Sequence, residues 1–330
     1  MEHSISNTIL KNAEIQFQNK TAKGEYITNN ILKQFRSRIL EIITYHQKTI
    51  DNKITYFSRD KDFSYAPENT IIVQERIEKI KLIQKNLEYF MERIIKIFPK
   101  ESDQIQIFNG LILAVKTHID DKNRLEGQPV IGHVLEVATK LLDTYHITDK
   151  DLIISGLLHD SIEDNPEYLA HKKTLLKESP TTNDISNAAI EVIKDIFNDK
   201  VAHILAKVSK PNFDKIIENQ QTLGRKKNSQ EIKNELYVTY VREVIKDPSA
   251  LIIKYADFEV NALEMLKRSM PEGEKKNNQM KKYCGVFKAF IEAFEDLENN
   301  HPLFAYKEKI LKKINTTQNQ YHQYLFEKAL

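Results

Sequence analysis

Apolar residues recur at three- and four-residue steps along most of the chain, the spacing of helices that bury one face. From Ile27 to Ile50 the stripe runs through Ile31, Phe35, Ile39, Ile42 and Ile43. Residues 51–67 read as a loop. The pattern resumes from Glu68 to Phe98 through Ile72, Ile80, Ile83, Leu87, Phe90, Met91 and Ile94, and Pro99, which has no N–H to donate, ends it. The spacing predicts further helices over about 104–120, 131–145, 185–208, 231–246, 277–297 and 302–325. Another leads from an N-cap at Asp149 or Asp151 into His159-Asp160, and another from the Asp247-Pro248-Ser249 turn through the apolar run Ala250–Ala256 to Asp257. No convincing strand alternation occurs, so the predicted fold class is all-α.

Two polar stretches interrupt the pattern. Residues 120–129 form a loop carrying Arg124 and Gly127. Residues 209–229 carry Lys210, Arg225, Lys226 and Lys227; a solvated surface loop is the favoured reading, a lid whose cations meet an anionic substrate the alternative. The first two long helices predict a hairpin that packs on the following domain, with a homo-oligomer contact as the other use.

Charge changes the picture little. With 49 basic against 47 acidic residues the net charge is +2, which argues against a dedicated nucleic-acid binder. Cys284 is the only cysteine, which excludes an internal disulfide and a cysteine-based zinc site. No apolar run approaches the ~20 residues of a membrane span, and the N-terminus lacks a basic start followed by an apolar core. The cytoplasm is the expected compartment.

The candidate chemistry centres on Gly156-Leu-Leu-His159-Asp160-Ser-Ile-Glu163-Asp164. On a continuous helix His159 and Glu163 share a face, as do Asp160 and Asp164. A solvated polar face explains this motif alone as well as a metal site does. Two distant residues tip the balance. Asp257 ends a strongly apolar helix, and a buried carboxylate is costly without a cation. His133 adds an imidazole near the start of an earlier helix. Imidazoles and carboxylates together suit Mn²⁺, Fe²⁺ or Zn²⁺. Glu163 and Asp164 would then orient water and take its proton.

In this order the motifs resemble those of the HD-superfamily phosphohydrolases, and more narrowly the hydrolase domain of the RelA/SpoT alarmone enzymes and their small stand-alone relatives. Arg124 with Gly127, then His133, then His159-Asp160 with Glu163-Asp164, then Ala256-Asp257 with Asn261 reproduce the family's order and spacing. The resemblance covers roughly residues 105–300. It divides the chain into a helical extension over 1–100, a hydrolase domain over 101–300 and a packed C-terminal helix over 301–330. It also implies the roles: His133, His159, Asp160 and Asp257 bind a divalent metal, typically Mn²⁺; Glu163 and Asp164 activate water; Arg124 and Asn261 contact the nucleotide. The implied reaction is removal of the 3′-pyrophosphate of (p)ppGpp. Alternatives are another nucleotide phosphate, such as the 2′-phosphate of NADPH, or nucleotide sensing without turnover. His118 matches a family position and reads as a supporting residue.

Four positions depart from the family's pattern: Leu125, Glu126, Phe258 and Glu264. Glu126 and Glu264 predict a more acidic pocket rim, one that repels polyphosphate unless the 225–227 cations or a metal offset it.

Overall fold

The computed structural model describes Ser37 and Ile83, then residues 85–118, 121, 124, 129–170, 181–214, 216–217, 229–267 and 273–327. The chain divides into two units, Met1–Ile42 and Ile43–Leu330, and nearly everything described belongs to the second. Apart from Ser37 the first predicted helix lies outside the described residues, as do most of the second, Leu125, Glu126, Gly127 and Arg225–Lys227.

The described residues are helical, with no strand among them. In chain order the helices are α1 (85–97), α2 (Glu101–His118), α3 (Val130–Asp143), α4 (Lys150–Leu158), α5 (Ser161–Asp164), α6 (Pro166–Ala170), α7 (Thr182–Ile196), α8 (Asp199–Val208), α9 (Ser229–Val244), α10 (Pro248–Phe258), α11 (Glu274–Glu295) and α12 (Lys307–Glu327). None is long and apolar enough to cross a membrane.

Helix α4 is the centre. It packs against α2, α3, α8 and α10, and Leu152 through Leu158 are all buried. Gly156 lets α3 come close: a Cβ there would stand 2.7 Å from Leu141 Cδ1. Asp149 caps α4 by accepting from Asp151 N at 2.9 Å. Helix α10 is the second buried rod, with every residue from Ala250 to Phe258 inside. Asp247 starts it by accepting from the amides of Ser249 and Ala250, and Pro248 occupies the first turn, where its missing N–H costs nothing. Tyr255 and Phe258 pack on the aromatic face of α11, Phe258 stacking on Phe290 at 4.4 Å. Each ring so buried contributes about 2–3 kcal/mol.

Two predicted elements are subdivided. The 185–208 stretch is not one helix: α7 ends at Ile196 and α8 begins at Asp199, because Asn198 turns extended and caps α8 by accepting from Val201 N. A capping box between Thr181 and Asp184 starts α7. The motif helix is also interrupted. α4 ends at Leu158, His159 and Asp160 form the joint, and α5 carries Glu163 and Asp164.

Candidate metal centre

Three elements deliver one cluster. His133 comes from the first turn of α3, His159 and Asp160 from the α4–α5 joint, and Asp257 from the end of α10. The two imidazole Nε2 atoms lie 3.3 Å apart. Asp160 places Oδ1 3.3 Å from His159 Nε2 and Oδ2 3.6 Å from His133 Nε2. Asp257 Oδ1 lies 3.2 Å from His133 Nε2 and 3.6 Å from His159 Nε2.

These separations fit a shared cation. Donors bonded at about 2.1 Å to one ion stand about 3.0 Å apart at octahedral corners and about 3.4 Å apart at tetrahedral ones. His159 Nδ1–H donates to Gly156 O at 2.9 Å, so a metal that displaced the second ring proton would meet an Nε2 lone pair facing the cluster. His133 Nδ1 is buried without a hydrogen-bond partner among the described residues, so its ring is oriented by what Nε2 meets. A divalent ion fits this donor set.

Electrostatics describe the same demand for positive charge. Burial opposes charging His159, but Asp160 and Asp257 outweigh it and lift the imidazole to about 10. His133 is pushed down, by burial first and then by Arg124. Asp257 lies well below the usual carboxylate range: burial opposes its charge, but Lys254 and the two histidines prevail. One proton, carried by His159, thus lies among two carboxylates where a cation would do the same work.

Around the cluster, Asp257 is pinned. Lys254, one turn back and buried, donates to Asp257 Oδ2 at 3.0 Å. Asn261 Nδ2 donates to Asp257 Oδ1, and Arg124 donates to Asn261 Oδ1. Arg124 and Asn261, expected to meet a nucleotide, are joined to each other and to Asp257. Asn261 reaches back because the backbone after α10 widens into a π turn, with Glu264 N bonded to Glu259 O five residues earlier at 3.1 Å.

Glu163 and Asp164 stand apart from the four clustered side chains. Glu163 accepts from Lys210, from both the ammonium and the backbone N–H. Lys210 is therefore not the solvated loop residue expected, since its ammonium is ion-paired beside the cluster. Asp164 gathers instead with His118 and Asp121, their ligand atoms all within 4.8 Å of one another. Burial first, then the carboxylates of Asp160, Glu163 and Asp121, push Asp164 up to about 7. His118 Nδ1–H donates to Asp121 Oδ2 at 2.7 Å, its Nε2 lies 3.2 Å from Ser161 Oγ, and Asn165 Nδ2 donates to both Asp121 oxygens. Sequence reasoning missed Asp121, Ser161 and Asn165; the i, i+3 spacing of His118 and Asp121 was the available signal.

The acidic-rim expectation needs correction at Glu264. Its carboxylate accepts from Lys140 at 2.7 Å and from Lys313 at 3.2 Å, so it is neutralised within the fold. Phe258 is core, stacked on Phe290.

A family model of the HD domain matches residues 111–290. The chain belongs to the HD domain family, and the class so defined is a phosphohydrolase with a His–Asp pocket suited to a divalent metal. Among solved structures it is similar to a metazoan SpoT orthologue, described as hydrolysing ppGpp and playing a role in starvation responses; the match has 16% identity and a TM-score of 0.41, and covers 65% of this chain and 94% of that one. No curated protein matches the chain.

Proposed function

We propose that the chain is a metal-dependent nucleotide phosphohydrolase that removes the 3′-pyrophosphate of (p)ppGpp. The observation that carries the reading is the convergence of His133 Nε2, His159 Nε2 and the Asp160 and Asp257 carboxylates at 3.2–3.6 Å, with Glu163 and Asp164 one turn further on. These four hold the divalent ion; the mixed nitrogen and oxygen donors suit Mn²⁺, Fe²⁺ or Zn²⁺ alike, and the resemblance to the alarmone hydrolases is what favours Mn²⁺. Bound there, the ion supplies Lewis-acid polarisation of a phosphoryl oxygen and acidifies water. Asp164, raised to about 7, is matched to accept the water's proton at neutral pH. The water oxygen bonds to the phosphorus nearest the ribose as that phosphorus parts from the 3′ oxygen; the 3′ oxygen takes up the proton held by Asp164, and pyrophosphate and GDP or GTP are released. Glu163, held by Lys210, orients the water. Lys254 and Asn261 keep Asp257 in place, and Arg124 reaches the nucleotide from the far side of Asn261.

The test is a substrate panel. Purified chain with Mn²⁺ is given ppGpp, pppGpp, NADPH and simple phosphate esters, and the products are read by nucleotide chromatography. The expected result is GDP and pyrophosphate from ppGpp, abolished by chelation. Intact ppGpp beside consumption of NADPH's 2′-phosphate would move the substrate and keep the chemistry. Metal binding with no turnover of any nucleotide would make the domain a sensing module.

A further inference from the structure

Asn261 pins Asp257, and its own placement depends on an irregular piece of backbone, the π turn Glu259–Leu263. Such a turn is rare because it gives up the regular i→i+4 ladder, so contacts from another element help to hold it. Helix α12 supplies one. Tyr321 is fully buried, and its hydroxyl donates at 2.6 Å to the carbonyl of Ala262, the residue that follows Asn261. Its ring is placed from the other side. It stands edge-on to Phe287 of α11 at 5.2 Å, and Phe287 in turn meets Phe258 at 5.4 Å. Phe258 ends α10 and follows Asp257 directly. One aromatic wall thus sets both the end of α10 and the hydroxyl that grips the turn. Lys313, on the same helix, touches the turn differently. It meets the side chains of Glu259 and Glu264, both of which also have Lys140 within reach. A carboxylate on a rotatable stem adjusts by changing rotamer, whereas a carbonyl moves only with its peptide plane. The Tyr321 contact therefore fixes the main chain beside Asn261, and the Lys313 contacts do not.

We propose that Tyr321 is a positioning residue for the metal centre: through Ala262 O it fixes the π turn, the turn places Asn261, and Asn261 holds Asp257 toward the ion. The proposal rests on the reading of His133, His159, Asp160 and Asp257 as metal ligands. Tyr321 lies beyond residues 111–290, which the HD family model matches, so this support comes from the chain's own C-terminal helix. Outer partners of metal ligands set the ligands' orientation, and their loss is felt as weaker metal binding even where every ligand remains.

The experiment titrates Mn²⁺ by calorimetry into the full chain as wild type, Tyr321→Phe, Asn261→Ala and the double variant. Tyr321→Phe keeps the ring in its aromatic wall and removes only the hydroxyl. It is expected to lower Mn²⁺ affinity by about five- to tenfold, the low end of the range for outer partners, because it acts one step behind Asn261. In the Asn261→Ala background the same change is expected to cost less than about twofold, since the residue it acts through is gone. Lys313→Met, which also loosens α12, is the control and should keep affinity within about threefold. Unchanged affinity in Tyr321→Phe, or the same loss in both backgrounds, overturns the positioning role. The two readings fail separately: Mn²⁺ binding that depends on Tyr321 without turnover of any nucleotide sinks the phosphohydrolase assignment alone, whereas turnover with Mn²⁺ affinity indifferent to Tyr321 sinks the positioning role alone. A wild-type chain that binds no Mn²⁺ sinks both.

Discussion

Two buried carboxylate clusters flank the end of α10, and they are built differently. On one side Glu259 and Glu264 meet Lys140, Lys313 and the Tyr145 hydroxyl, so both carboxylates have ammonium partners. On the other side Asp160 and Asp257 meet His133 and His159, with Lys254 pinning one oxygen of Asp257. The first cluster is closed: permanent cations neutralise permanent anions, and the C-terminal helix is fastened to the π turn. The second is open to exchange, because beside the fixed Lys254 ammonium it holds a histidine proton that a metal ion can displace. Similar carboxylates therefore serve as a fastening in one place and a donor set in the other. What separates them is whether imidazoles stand among the partners.

Asp257→Asn breaks the open cluster most completely. It keeps the side-chain volume but removes the charge that faces both imidazoles. Mn²⁺ binding by calorimetry and turnover should both be lost, the latter by about a thousandfold. Turnover that survives without metal would sink the mechanism. Asn261→Ala removes one support of Asp257 and leaves all four candidate ligands, so metal affinity should fall by about ten- to a hundredfold. Lys313→Met attacks the closed cluster instead. Glu259, almost fully buried, keeps the Tyr145 hydroxyl and the more distant Lys140. Lys313 is partly exposed, so the stability loss in urea should be about 2 kcal/mol rather than the full cost of a buried pair. Mn²⁺ affinity should change by less than about threefold. A metal affinity that falls in step with stability would show that the clusters are not separate.

The open cluster was legible in the sequence and the closed one was not, for a physical reason. His133, His159-Asp160 and Asp257 are metal-ligand residue types, two of them carboxylates whose burial demands a cation, and each ends or begins an apolar helical run, so order along the chain was informative. Glu264 was legible only as a charge. Its partners come from α3 and from α12, 124 and 49 residues away, and no local pattern connects them. Lys210 fails for the same reason: in a polar stretch it reads as solvated until Glu163, 47 residues earlier, is placed beside it. Phe258 replaces a polar family residue yet fits the aromatic wall of α11, which no single helix reveals. Apolar periodicity located the helices but not their joints. It runs unbroken through Phe197-Asn198 and through His159-Asp160, where a cap and a change of direction decide the boundary.

The smallest effect is the most direct comparison of the two clusters, because it needs no mutation. The ordinary imidazole value is 6.5, and His159 is raised to about 10. The free site therefore contributes stability that is complete below about 6.5 and is lost as pH rises through 10. A metal ion must displace that proton. Below about pH 10 each ion bound should release one proton, and Mn²⁺ affinity should rise by up to about tenfold per pH unit between 6 and 8. Calorimetry in two buffers of different ionisation enthalpy counts the proton. The closed cluster exchanges none, so Lys313→Met should leave the slope intact. A proton count near zero would mean that His159 is already neutral in the metal-free chain, and the contrast between an exchangeable and a permanent positive charge would fail.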